Sequence, residues 1–297
     1  MNKTIKIIAA LTALSIIPPS VIANDKWKNT VSLSALTGFY YQSYIRDRYA
    51  GGGISFSGDY LDQGGFTVKA SSSTIQYNHG YDDIDQSNLF LSGRYNFFPD
   101  SLNGKIATRT DIYYLDNNDA TGNSDKVSAI APQFTYIPYS KDFSIGLGVA
   151  YTKYQNDLSV TQVTPNAGFA FNNKMGWLNI GGYFITPDNP ARAMNIDSTE
   201  AATVSVTHWL AKDNYLPINF LTASLMVGER IYAVDNEAAS IYNVLDIQEG
   251  TVSAGCSWDL GSEFSLLSIV GHEKFRDINI DDEYSSNFLF LKLSKSW

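Results

Sequence analysis

Three histidines, His79, His208 and His272, are the side chains best suited to accept a proton near neutral pH, so a catalytic site would be sought around them first. On an extended strand a nucleophile two residues from a histidine shares its face, yet no serine stands two residues from any of the three. Ser205, three before His208, falls on the opposite face. Ser268 and His272 share a face, but four strand residues separate them by roughly 13 Å, beyond hydrogen-bond reach. An acid two residues before the histidine would orient it, and Val206 and Val270 occupy those places. Asp82, Asp83 and Asp85 in "YDDIDQ" read as a solvated loop, and no catalytic residues are expected.

Metal chemistry fares no better. Asn117, Asp119, Thr121 and Gly122 take the first, third, fifth and sixth places of a calcium-loop pattern, but the twelfth is Ser128 where a bidentate glutamate is required. Cys256 is the sole cysteine, which excludes an intramolecular disulfide and a thiolate zinc cage. No metal or cofactor is expected. Cys256 itself falls in the phase of Val252, Ala254 and Trp258 and reads as an apolar filler.

The first 23 residues read as a targeting segment. Lys3 and Lys6 precede an apolar run from Ile7 to Ile17, Pro18 and Pro19 interrupt it, and Val21-Ile22-Ala23 offers a small-residue cleavage site. The run is shorter than the roughly 20 residues that span a bilayer as a helix. Residues 1–23 are therefore expected to be a cleaved signal peptide, with Asn24 opening a short periplasmic segment, 24–30, that leaves no room for a periplasmic domain. Removing the two lysines leaves 19 basic residues against 30 acidic, a net charge of −11. An acidic chain without a basic stripe repels phosphate, so nucleic acid is excluded as a partner.

What could position functional groups is a long series of strands. In "FSIGLGVAYTKYQ" Phe143, Ile145, Leu147, Val149 and Tyr151 share one face, with Ser144, Gly146, Gly148, Ala150 and Thr152 on the other. Leu89, Leu91, Tyr95 and Phe97 oppose Asn88, Ser92 and Arg94; Ile106, Thr108, Thr110, Ile112 and Tyr114 oppose Lys105, Arg109 and Asp111. The same alternation recurs over 31–45, 50–61, 65–79, 126–137, 158–171, 176–186, 199–211, 217–232, 247–260, 263–275 and 284–297, about fourteen candidates in all.

Connections alternate in length. "FFPDSLNGK", "PYSKD", "NNKMG", "LAKDNYLP" and "DLGSE" are short, whereas "GYDDIDQ", "DNNDATGNSD", "TPDNPARAMNIDST", "AVDNEAASIYN" and "RDINIDDEY" are mostly longer and acidic. Short turns at one end and long loops at the other mark a transmembrane antiparallel up-and-down β-barrel over 31–297, with 12–14 strands and its long loops outside the cell. Phe97, Phe98, Tyr139, Phe171, Trp177, Trp209 and Trp258 near the short turns fit an interfacial girdle. A soluble sandwich would place larger apolar side chains where Gly, Ala and Thr stand.

The chain ends in "SSNFLFLKLSKSW", with Leu289, Leu291, Leu293 and Trp297 on one face. This resembles the last strand of outer-membrane proteins, whose terminal aromatic is recognised by the barrel assembly machinery; Lys295 departs from the usual hydrophobic residue at that place. More narrowly, "GLGVAYTKYQNDLSV" and "WLNIGGYFITPDN", with Tyr151, Thr152, Lys153 and Tyr154 in a hairpin, resemble the middle of the YaiO-like outer-membrane barrels. That resemblance implies a bacterial outer-membrane location, among lipid and lipopolysaccharide, without a defined activity.

Charges that would be costly in lipid must face the lumen. These are Lys69, Arg94, Arg109, Asp111, Arg230 and Glu249. They can focus ions in a water-filled pore or lock a narrow barrel with salt bridges, and a count of twelve to fourteen strands sits between the two regimes. The expected function is a porin-like passive channel for ions or small solutes. The alternatives are a non-conducting barrel with a surface or envelope role, such as adhesion, envelope organisation or support of polysaccharide export, and a lipid-modifying enzyme.

Overall fold

Period-two alternation builds the wall of the molecule. The computed structural model describes residues 26–119, 124–155, 157–211, 217–242 and 246–297; the expected signal peptide and Asn24 lie outside them. Wall strands are β1 (Trp27–Tyr41), β2 (Arg46–Tyr60), β3 (Gly64–Tyr77), β4 (Ile84–Phe97), β5 (Gly104–Asn117), β6 (Val127–Pro138), β7 (Phe143–Lys153), β8 (Ser159–Phe171), β9 (Gly176–Pro187), β10 (Thr199–Trp209) and β11 (Ile218–Arg230). They continue as β14 (Asp246–Gly261), β15 (Phe264–Asp277) and β16 (Asp282–Ser296). Two short strands, β12 (Val234–Asp235) and β13 (Ser240–Ile241), pair only with each other.

Every wall strand is antiparallel to both neighbours, and the fourteen close on themselves. The seam is β1 against β16, in register from Thr30 opposite Ser296 to Tyr41 opposite Ser285. Trp297 and Asn29 exchange backbone bonds of 2.9 and 3.0 Å below it. Closure removes every sheet edge, the condition for strands to cross a bilayer. The strands run from 11 to 16 residues, enough for the roughly 9–11 that a tilted crossing needs. No described helix is long and apolar enough to cross a membrane. β1 opens at Trp27, four residues before the expected start of the barrel at Val31.

The outer face carries the apolar phase. Leu91, Ile112, Ile145, Leu225, Val252 and Val270 are all exposed, Ile145 at 59% and Val270 at 57%. In water so much exposed aliphatic surface would be a liability; against lipid tails it is the stabilising arrangement. Leu289, Leu291 and Leu293 belong to this face, opposite Thr37, Ala35 and Leu33. The termini share one end with the connections 61–63, 98–103, 139–142, 172–175, 210–217 and 262–263. The opposite end carries 42–45, 78–83, 118–126, 154–158, 188–198, 231–245 and 278–281, one of which holds a short 3-10 turn at Pro190–Ala193.

Candidate functional site

The connection 231–245 does not stay at the rim. Its hairpin, β12 and β13, turns into the barrel and is held there by side chains from opposite walls. From β8, Gln162 brackets the backbone of one residue: its Nε2 donates to the Val234 carbonyl at 2.8 Å, and the Val234 amide donates to its Oε1 at 2.9 Å. From β5, Arg109 donates to the Asn236 carbonyl at 2.8 Å and the Tyr113 hydroxyl to the Asn236 side-chain oxygen at 2.9 Å. From β3, Lys69 donates to the Ala238 carbonyl at 3.3 Å. A hairpin without a partner strand in the wall must satisfy its backbone this way.

Apolar contacts complete the seat. Ile231, Tyr232, Ala233 and Val234 are at most 2% exposed. They pack in one cluster with Leu115, Val127, Val160 and Ile185, lumen-side residues of β5, β6, β8 and β9. Each such aliphatic side chain is worth about 1.5–3 kcal/mol when fully buried. The core of this protein therefore lies inside the barrel, in its loop-end half.

Two arginines organise the polar part of that half. Arg230 sits over the Tyr242 ring at 4.4 Å and the Tyr183 ring at 5.1 Å, beside Gln248, and pairs with Asp235 of the hairpin at 3.4 Å. Arg46 is 7% exposed and bridges Asp246 at 2.7 Å and Asp277 at 3.1 Å, with the Tyr284 ring 4.9 Å away. Tyr284 donates to the same Asp246 oxygen, Oδ2, at 2.8 Å. Asp111, fully buried, accepts from Arg109 Nε at 2.8 Å and so aims that guanidinium at the hairpin.

The turn-end half of the lumen has a different lining. Ser32 and Ser294 share a hydrogen bond of 2.9 Å, and Ser224 and Ser253 one of 2.7 Å. Gly53, Gly146, Gly148 and Gly181 stand among these hydroxyls on the same inward phase. The Arg94–Asp59 ion pair crosses β3 directly over Gly65, where a Cβ would lie 2.5 Å from the Asp59 oxygen and 3.0 Å from the guanidinium.

Of the residues expected to face the lumen, Lys69, Arg94, Arg109, Asp111 and Arg230 stand there, all but Arg94 against or beside the hairpin. Glu249 does not. A bulge between Gln248 and Gly250 inserts one residue into β14, so Gln248 takes the inward place. The Glu249 carboxylate instead pairs with Lys274 at 2.8 Å and Arg276 at 3.0 Å on the outer face, near the loop-end rim. Trp177 also departs from its girdle assignment: its ring lies over Gly168 on the inward phase. Phe97, Phe98, Tyr139, Phe171 and Trp209 are exposed, and Trp258 donates to Ser268 at 3.3 Å. Cys256, in register with Ser268, lies on the outward phase with its sulfur 3.4 Å from that hydroxyl.

The histidines fall apart from one another. His272 and Ser268 both face outward, with His272 Nδ1 2.7 Å from the Asn287 side-chain oxygen. His208 stacks on Phe171, and His79 stacks on Tyr44 in the loops. Of the calcium-like segment, Thr121 and Gly122 lie outside the described residues, while Asn117 donates to Ser124 and its amide to Asp125.

Arg46, Gln162, Glu273, Lys292 and the hairpin were not singled out by sequence reasoning. One signal was present: "IYAVDNEAASIY" carries apolar residues on both sides of a polar turn, a composition unsuited to a solvated loop.

Comparison with known proteins rests on shape. The chain matches no protein-family model and no curated protein by sequence. Solved structures do match over nearly its whole length. The Pseudomonas putida toluene transporter TodX aligns with a TM-score of 0.53 at 11% identity, over 96% of this chain and 93% of that one. The monoaromatic hydrocarbon channel CymD gives 0.54 at 8% identity, over 92% and 88%. A bacterial polysaccharide outer membrane secretin gives 0.53 at 11%, over 91% and 98%. The chain is a transmembrane β-barrel. At these identities the likeness is one of fold.

Proposed function

We propose that this barrel is a passive channel of the bacterial outer membrane for ions or small solutes, closed in its loop-end half by the 231–242 hairpin. The observation that carries the reading is the contrast inside the lumen. The turn-end half is lined by hydroxyls and glycines, and the loop-end half is occupied by a single hairpin held by side chains. TodX and CymD, a transporter and a channel by name, support it through their shared fold. Lys69, Arg94, Arg109, Asp111 and Arg230 are read as the charges along the path, and the longer loops as its extracellular end.

Residues 1–23 are read as the export signal, and Leu289, Leu291, Leu293 and Trp297 as the signal for the barrel assembly machinery. Kinship with the YaiO-like barrels rests on the resemblance of "GLGVAYTKYQNDLSV", with its Tyr151–Tyr154 hairpin, and of "WLNIGGYFITPDN".

The test is planar-bilayer recording of the refolded chain beside a variant in which 231–242 is replaced by a short Gly-Ser turn, each first shown to be folded by a heat-shift gel. Rare or small steps from the native barrel and discrete, larger steps from the variant are expected. Silence from both folded proteins overturns the channel reading. The packed loop-end core would then favour a non-conducting barrel acting through its surface.

A further inference from the structure

Among the described residues, each wall-strand arginine that faces the lumen has a carboxylate partner. Arg46 has Asp246 and Asp277, Arg94 has Asp59, Arg109 has Asp111, and Arg230 has Asp235. Lys69 on β3 and Lys292 on β16 have none among the described residues. Lys69 makes one bond, to the Ala238 carbonyl at the hairpin, and its charge and that of Lys292 oppose each other across the wall. In a chain with net charge −9, two like charges left facing one another inside a partly dehydrated lumen are unfavourable unless something else neutralises them.

The wall between them is suited to a ligand. β2 and β1 separate β3 from β16. The register places Lys69 beside Ser55, Ser55 beside Ser32, and Lys292 beside Ser34, which stands next to Gly53. The side chains between the two lysines are short, and their hydroxyls can donate to an oxyanion. The hairpin, bonded to Lys69 at Ala238, bounds the place on its loop-end side.

We infer that the lumen directly beneath the hairpin holds a binding site for a small multivalent anion, a phosphate or a dicarboxylate, clamped between Lys69 and Lys292. This deepens the channel reading by naming the class of solute, and it rests on that reading for its biological role. Two charge-assisted contacts, one from β3 and one from β16, favour a divalent over a monovalent anion.

The chain purified from membranes in detergent, its fold checked by heat-shift gel, is titrated calorimetrically with inorganic phosphate and with succinate. Saturable binding is expected, weakened about tenfold or more by Lys69→Gln or Lys292→Gln and largely kept by Lys292→Arg. Absence of saturable binding by the folded native chain, or binding that both glutamine variants leave unchanged, overturns the site. The titration needs no conductance, so the two readings fail separately. A barrel that conducts without binding either anion loses the site alone, and one that binds through the two lysines but never conducts keeps the site and loses the channel.

Discussion

The two halves of the lumen solve the problem of inward polar groups in opposite ways. In the loop-end half charges are desolvated and must be matched one by one, as Arg46 is between Asp246 and Asp277 at 7% exposure. In the turn-end half the polar groups are small, and the Arg94–Asp59 pair keeps half of the Arg94 side chain exposed. A buried pair is held in place chiefly because breaking it strands a charge, whereas an open one is screened by water. The first half therefore behaves as a protein core that happens to lie inside a barrel, whereas in the second small hydroxyl pairs such as Ser32–Ser294 stand beside one half-exposed ion pair.

The sharpest way to break that contrast is to remove one arginine from each half. Arg46→Ala leaves the Asp246 and Asp277 carboxylates buried without their cation and is expected to cost about 3–5 kcal/mol. Arg94→Ala removes a half-exposed pair and is expected to cost less than about 1 kcal/mol. Urea unfolding of the two variants in detergent checks the difference, and equal losses would erase the distinction between the halves. Next in size is Gln162→Ala, which strips the partners of both the Val234 amide and the Val234 carbonyl. Each buried backbone group left unsatisfied costs about 1–3 kcal/mol. Because the wall pairing is untouched, the effect should be local: amide exchange speeds up across 231–242 while β7, β8 and β9 keep their protection.

In the turn-end half, Ser224→Ala removes one neutral hydroxyl bond to Ser253, worth about 0.5–1.5 kcal/mol at most. Its unfolding midpoint should barely move, because no charge is stranded and both hydroxyls are only half-buried.

How much of this was legible in the sequence follows from the range of the interactions. Strand alternation is a local geometric fact, so β7 was readable from Phe143 onward, and Arg109 and Asp111 were aimed inward by phase alone. The phase argument failed at Glu249 because a bulge depends on how two strands slip past each other, which no single strand records. It could not reach the hairpin at all. The residues that seat it are far away in the chain, Gln162 by 72 positions from Val234 and Tyr113 by 123 from Asn236. Whether a loop points out to solvent or back into the lumen is decided by such distant partners. The apolar residues flanking "DNEAAS" recorded only that this loop needed a core.

The smallest expected effect probes the boundary between the halves. Glu237 keeps contact with water at the hairpin's tip, but enclosure by the wall raises its carboxyl pKa, Asp235 adds to the rise, and Arg109 opposes it. A carboxyl whose pKa is higher in the docked hairpin than in the released one favours docking when protonated. Its contribution is fully present below the ordinary carboxylate range and is lost as pH rises through the docked value. The hairpin should thus be held slightly more firmly near pH 4 than at pH 7. In bilayer recordings this would appear as a higher open probability at neutral pH, and Glu237→Gln should flatten the profile at its acid limit. A native profile that ran the other way, closing as pH rises, would mean that the attraction of ionised Glu237 to Arg109 outweighs the cost of enclosing its charge, and that the tip of the hairpin behaves like the half-exposed Arg94–Asp59 pair and not like the buried Arg46 cluster.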